Sequence, residues 1–179
     1  MKRRILSTLL VGILMLYGCG NSAASGGSQS GTSASDDVIE FNPAYVAIDD
    51  ENVRMEITSV SKEVRNAGTK GESYEYRVNF TLTNKSDVYG AGVGISSNDG
   101  SIGSYTVVFS TGGGDVRPGK ISDGAHFTVN SESEHVTSVE DLLDFNALVR
   151  VEVFEDTGSS RTIRDSYKVE VSLKDAQHK

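Results

Sequence analysis

A chain of 179 residues with a hydrophobic fraction of 37% has room for one domain with a modest core. Its formal charge of −8, with no basic stripe interleaved with aromatics, argues against a nucleic-acid partner, because phosphate contacts supply much of that affinity. A single cysteine excludes an intramolecular disulfide and any cluster of thiolates around zinc or iron, so burial and sheet hydrogen bonding must hold the fold.

At the N-terminus, Lys2, Arg3 and Arg4 precede an apolar run from Ile5 to Tyr17, followed by Gly18 and Cys19. A basic stretch, a short apolar stretch and a small residue at the boundary are the marks of a secretory signal. The run is 13 residues long, against the roughly 20 that a bilayer-spanning helix needs. The sequence Leu16-Tyr17-Gly18-Cys19 resembles the lipobox of bacterial lipoproteins, in which the cysteine sulfur takes a diacylglyceryl group. Leu16, Gly18 and Cys19 match that pattern, whereas Tyr17 stands where a small residue is usual. The resemblance implies a signal peptide over 1–18, cleavage between Gly18 and Cys19, and attachment to the membrane through lipidated Cys19. Two acyl chains anchor a protein stably where one holds it only marginally. Removing the three basic residues takes the charge from −8 to −11, a balance that suits a solvated, extracytoplasmic surface.

Residues 20–37 contain ten Gly or Ser in eighteen positions and no large apolar side chain, too little to bury for a fold. Together with Cys19 they read as a lipidated attachment point and tether over 19–37. As a flexible coil the tether spans about 23 Å.

From Val38 the pattern changes to period two. In the run 74–82, Tyr74, Tyr76, Val78, Phe80 and Leu82 share one face, and Glu75, Arg77, Asn79 and Thr81 share the other. This predicts a half-buried strand. The same alternation recurs at Val53, Met55 and Ile57, at Ala147, Val149, Val151 and Val153, and at Tyr167, Val169, Val171 and Leu173. Weaker strands are predicted over 45–48, 90–96, 104–110 and 125–130. Turn chemistry separates them at Asn66-Ala67-Gly68, Asn84-Lys85-Ser86-Asp87, Asn98-Asp99-Gly100, Gly112-Gly113-Gly114 and Asp156-Thr157-Gly158. Seven to nine short strands result. One helical turn is predicted over 139–145, with Ser138 as its cap and Asp141 at the reciprocal capping-box position. Antiparallel strands with one apolar face bury it against another sheet. The expected fold class is therefore all-β, an antiparallel two-sheet sandwich over 38–174 with a frayed tail at 175–179.

The long alternating strand ending Leu82-Thr83-Asn84-Lys85-Ser86-Asp87, the Arg117-Pro118-Gly119-Lys120 turn, the short Glu140-Asp141-Leu142-Leu143 helix and the final alternating strand carry a second resemblance. Over roughly 40–174 the chain resembles the immunoglobulin-like domains of small bacterial surface lipoproteins, and is similar to a secreted mycobacterial immunogenic antigen with such a sandwich. The antibody hallmarks, a buried Trp and a cysteine pair, are absent. The resemblance implies an immunoglobulin-like fold and a surface location, and carries no catalytic residues.

Several constellations point to chemistry and fall short of it. Gly114-Asp115-Val116-Arg117-Pro118-Gly119-Lys120 fits the first seven positions of a Walker loop. Ile121, however, stands where a Ser or Thr must reach magnesium, and Pro118 removes a cradling amide, so no nucleotide is expected. Gly90, Gly92 and Gly94 miss dinucleotide spacing and mark a bulged or edge strand. No nucleophile elbow accompanies His126, His135 or His178. The acidic stretches 49–52 and 98–101 offer oxygen ligands without the spacing of an EF-hand, and no metal or cofactor is expected. Asn84-Lys85-Ser86 is a formal glycosylation sequon, idle in a bacterial host. Tyr89 and Tyr105 flank glycine-rich stretches where an aromatic ring can meet a partner.

The expected function is a non-catalytic, lipid-anchored, extracytoplasmic domain contacting another envelope protein or wall polymer. The alternative is a small-ligand or calcium-binding module using the acidic loops.

Overall fold

The computed structural model describes residues 37–129, 134–174 and 176. The signal-like segment, Gly18, Cys19, all of the tether before Asp37 and most of the expected tail lie outside the described residues.

Ten strands follow in chain order: β1 (Asp37–Asp49), β2 (Val53–Arg65), β3 (Ser73–Asn84), β4 (Gly90–Ile102), β5 (Tyr105–Thr106), β6 (Phe109–Gly112), β7 (Asp115–Val116), β8 (His126–Val129), β9 (Phe145–Asp156) and β10 (Arg161–Ser172). A 3-10 turn over Glu140–Asp144 leads into β9. One sheet has the order β1-β2-β3-β8-β6 and the other β10-β9-β4-β5, with β7 also on β4. Their ladders are antiparallel. Strands β2, β3, β8 and β6 take the A-B-E-D order of a constant-type immunoglobulin domain, and β4, β9 and β10 take C, F and G. The fold is an all-β, immunoglobulin-like two-sheet sandwich with one additional strand, β1, outside β2. Pro43 is compatible with that outer position: it lies in a register shift between Glu40 and Tyr45 on an edge strand, where a missing N–H costs the ladder little.

Alternation gives the core. Met55 and Ile57 on β2, Val78, Phe80 and Leu82 on β3, and Ala147, Val149, Val151 and Val153 on β9 are buried between the sheets. Aromatic rings occupy the centre in place of the absent disulfide and Trp. Phe127 on β8 lies 4.6 Å from Phe80 and 6.2 Å from Phe145 of the opposite sheet, and Phe145 meets Phe109 edge-on at 5.2 Å.

Three local expectations need correction. Asn98-Asp99-Gly100 does not end a strand. Four residues, 96–99, form a bulge within β4, whose pairing with β9 breaks after Ile95 and resumes at Gly100. A strand expected over 104–110 divides, β5 pairing with β4 and β6 crossing to β8 in the other sheet. That division, with β7, brings the count to ten strands, several of them 12 or 13 residues long. Finally, Ser138 makes no forward cap; Val139 occupies the N-cap position without a side-chain hydrogen bond. Only the reciprocal half forms: Asp141 Oδ2 accepts from the N–H groups of Thr137 at 2.8 Å and Ser138 at 2.9 Å.

Candidate functional site

The antiparallel strands sort the connections to two ends of the sandwich. Asp37 pairs with Lys62 and Asp49 with Arg54, so β1 runs from the end where the preceding chain joins to the end holding the β1–β2 turn. At about 3.3 Å per residue these ends are roughly 40 Å apart. Val53 pairs with Asn84 and Gly90 with Phe154. The turn at 50–52, the loop at 85–89, the turn at 117–121 and the hairpin at 157–160 therefore cluster at the end opposite Asp37.

Asn84 organises that cluster. It is 2% exposed. Its Nδ2 donates to the carbonyls of Tyr89 at 2.8 Å and Val116 at 3.2 Å, while its Oδ1 accepts from the Ser86 N–H at 3.0 Å. One buried amide thus ties the 85–89 loop to β7. Ser86 continues the network: its hydroxyl accepts from the Tyr89 N–H at 3.0 Å and its carbonyl from the Gly119 N–H at 2.8 Å. Gly119 has φ +63, the left-handed conformation that Pro118-Gly119 supplies to the turn. The Walker-like stretch is thus strand β7 and then a turn.

Beside this frame lies a cleft of about 320 Å³. Val88, Pro118 and Phe154 line it together with the charged side chains of Asp115, Arg117, Asp156 and Arg161. Val88 is 73% exposed and Ile121, on the neighbouring turn, 62%. Neither residue is singled out by sequence pattern, because each sits in a segment that reads as an ordinary turn. Arg161 borders the cleft on the hairpin side, stacked over Phe154 at 3.7 Å and bonded to Asp115 Oδ2 at 2.7 Å.

The glycines of β4 explain this stacking. Gly90, Gly92 and Gly94 pair with Phe154, Glu152 and Arg150 on the outward face. Phe154 lies down over the first two, and a Cβ on Gly90 would stand 2.5 Å from its ring. Gly94 has no such neighbour and floors a depression of about 240 Å³ flanked by Arg150 and Glu152. At the other end, Phe41, Pro43, Tyr45 and Leu143 border an opening of about 480 Å³ beneath β1.

The two tyrosines are not brought together. Tyr89 sits at the loop end, half-buried against the core, with the Arg164 guanidinium 5.9 Å from its ring centroid. Tyr105 lies at the opposite end, 50% exposed and stacked on His135 at 3.7 Å. That stack joins residues 30 apart and has no local sequence signal. The His126 ring lies against Gly112, with its Nδ1 2.7 Å from the Gly124 carbonyl oxygen. His178 lies outside the described residues.

The acidic turn is largely committed to protein partners. Asp49 is bonded by Lys85 Nζ at 2.6 Å and Arg54 at 2.6 Å, and the Lys85 bond leads the effects that hold its carboxyl below the usual range. Burial pushes Asp50 up, but the Val53 N–H, the Tyr167 hydroxyl and the Asn52 N–H outweigh it and leave the carboxyl low. The Tyr167 hydroxyl is pushed upward, chiefly by burial. Among the described residues no group of three or more His, Cys, Asp or Glu is placed to hold a metal ion.

No protein-family model matches the chain, and no curated protein matches it. Among solved structures it is similar to a functionally unknown protein from Listeria monocytogenes EGD-e, with 14% identity over 76% of this chain and 88% of that one and a TM-score of 0.38. It is also similar to the yeast GGA1 GAE domain, with 10% identity over 71% of this chain and 97% of that one and a TM-score of 0.33.

Proposed function

We propose that the chain is a lipid-anchored, extracytoplasmic display protein whose immunoglobulin-like domain makes non-catalytic contacts with another component of the cell envelope. The observation that carries this reading is the succession of a basic start, a 13-residue apolar run, Leu16-Tyr17-Gly18-Cys19 and a Gly/Ser-rich stretch, after which strand β1 begins at Asp37. Two further features support it. Strand β1 begins at Asp37, at the end of the sandwich opposite the loop cluster. The displaced carboxylates among the described residues are moved down by ion pairs and N–H donors, away from the near-neutral range that acid–base catalysis favours.

The test is Cys19→Ser with cell fractionation and metabolic labelling by a radioactive fatty acid. The parent chain is expected in the membrane fraction with label, and the variant without label and released. A variant that stays with the membrane as firmly as its parent would refute anchoring through Cys19.

A further inference from the structure

We propose that Asp123-Gly124 is a site of spontaneous conversion of aspartate to isoaspartate, and that the fold spares the chain's other Asp-Gly pair, Asp99-Gly100. The inference is independent of how the chain is anchored and of what its loops contact.

The chemistry needs no second reactant but water. The main-chain nitrogen after an aspartate attacks the side-chain Cγ, and the protonated carboxyl group loses its hydroxyl with the N–H hydrogen as one water, closing a succinimide ring. Water then opens the ring at either carbonyl. Opening at Cγ restores aspartate; opening at the α-carbonyl leaves the following nitrogen bonded to Cγ, so the main chain runs through the side chain and the α-carboxylate is freed. The water lost is regained, and nothing is oxidised or reduced. Ring closure requires that the nitrogen swing toward Cγ, which glycine permits because no Cβ crowds the approach and its backbone is the least restricted. Both Asp-Gly pairs meet that condition in sequence, so the fold decides between them.

Gly100 is held. It is buried within β4, stands opposite Ala147 of β9, and its carbonyl accepts from the Val107 N–H at 3.0 Å. The Phe109 ring packs on it so closely that a Cβ there would stand 2.6 Å away. Rotating the Asp99–Gly100 peptide into a ring therefore means opening this part of β4 first, and the population of that open state limits the rate. Asp123 and Gly124 are both exposed, in a bend between strands. A Cβ on Gly124 would meet nothing within 4 Å. Among the described residues, Asp123 makes no ion pair and the Gly124 N–H donates to no backbone carbonyl. Gly124 has φ +67, a left-handed conformation that a side chain would strain, so the turn itself calls for glycine after Asp123. The residues on either side are fixed to β3: Ser122 N donates to Leu82 O at 2.8 Å, and Ala125 O accepts from Phe80 N at 2.9 Å. Conversion adds one main-chain carbon between these two bonds and loosens the joint between β3 and the chain entering β8.

The experiment ages the purified full chain in mild detergent at neutral pH and physiological temperature, once folded and once in concentrated urea. Digests are read by electron-transfer dissociation, whose backbone fragments distinguish isoaspartate from aspartate at equal mass. In the folded chain isoaspartate should accumulate at least tenfold faster at 123 than at 99, and urea should lower that ratio at least threefold, because both glycines are then free to swing. Asp123→Glu, whose ring would have six members and close far more slowly, should remove the signal at 123 and leave 99 unchanged. In the folded fraction enriched for isoaspartate, the Ser122 and Phe80 amides should exchange with solvent at least threefold faster than before ageing. A folded-state ratio under tenfold, or one that urea does not lower at least threefold, would overturn the assignment of Asp123; unchanged exchange at both amides would overturn the loosening of the β3 joint. The comparison of folded and unfolded parent chain stands even where the Asp123→Glu variant does not fold.

Discussion

Replacing Asn84 isolates the joint on which the loop end depends. Its side chain is 2% exposed and makes three hydrogen bonds, donating to Tyr89 O and Val116 O and accepting from Ser86 N. Asn84→Ala removes all three and leaves two carbonyls and one N–H without that partner. At about 1 kcal/mol for each lost bond, and more where the abandoned group stays dry, the cost is about 3 kcal/mol. A domain of this size has only about 5–15 kcal/mol in total. Asn84→Asp is the sharper variant: the carboxylate still accepts from Ser86 N but cannot donate, and it turns an anion toward two carbonyl oxygens. At neutral pH it should be at least as damaging as alanine, and it should recover on acidification as the buried carboxyl gains a proton and can donate once more. Urea unfolding followed by far-UV circular dichroism reads both. With a slope of about 1–3 kcal/mol per molar, a loss of about 3 kcal/mol lowers the midpoint by about 1–3 M. An Asn84→Ala midpoint within 0.3 M of the parent, or an aspartate variant as stable as the parent at pH 7, would show that Asn84 does not pin the loops as described.

Two further predictions concern the outer face and the turn before β9. Gly90→Ala puts a Cβ 2.5 Å from the Phe154 ring and should cost about 1–3 kcal/mol, whereas Gly94→Ala has nothing within 4 Å and should stay within about 0.5 kcal/mol of the parent. Equal melting temperatures for the two would refute the packing account. Asp141 is held below its ordinary carboxyl value first by the Thr137 N–H and also by the Ser138 N–H, with burial opposing. Because its folded-state value is depressed, its contribution is complete above the unfolded value of about 3.8 and is lost as pH falls through the lower folded value. Asp141→Asn should lower stability at pH 7 by about 1 kcal/mol and flatten that part of the acid limb; parallel pH–stability curves for the two proteins would contradict it.

The sheets were legible where one face is buried along a whole strand. Val78, Phe80 and Leu82, and Val149, Val151 and Val153, alternate because inward positions admit only apolar side chains. The first half of β1 has no such signal, since both of its faces are partly exposed. Asn98-Asp99-Gly100 carries true turn chemistry, yet the partner strand decides the outcome: Ala147 and Asn146 recapture Gly100 and Ser101, and the turn becomes a bulge. Phe154 is on the outward parity of β9, where a buried ring is not expected. Only the missing side chains at Gly90 and Gly92, 62 to 64 residues earlier, make room for it. The loop cluster was hidden for the same reason. Lys85, Ser86, Pro118 and Gly119 announce turns, but their convergence on one end depends on strand pairing over long range.

The extra strand outside β2 gives the domain a mechanical direction. Force entering at Asp37 and resisted at the opposite end of the sandwich runs along the axis of β1, parallel to the ladder it shares with β2. Hydrogen bonds that lie across such a load share it, whereas a strand pulled from its side surrenders them one after another. Its register is continuous from Asp37 to Glu40, resumes at Tyr45 and shifts again between Val46 and Ile48, so the two breaks divide the load-bearing seam into three stretches. In the proposed lipid-anchored arrangement, tension would load the outermost strand in shear before it displaced the aromatic core behind it.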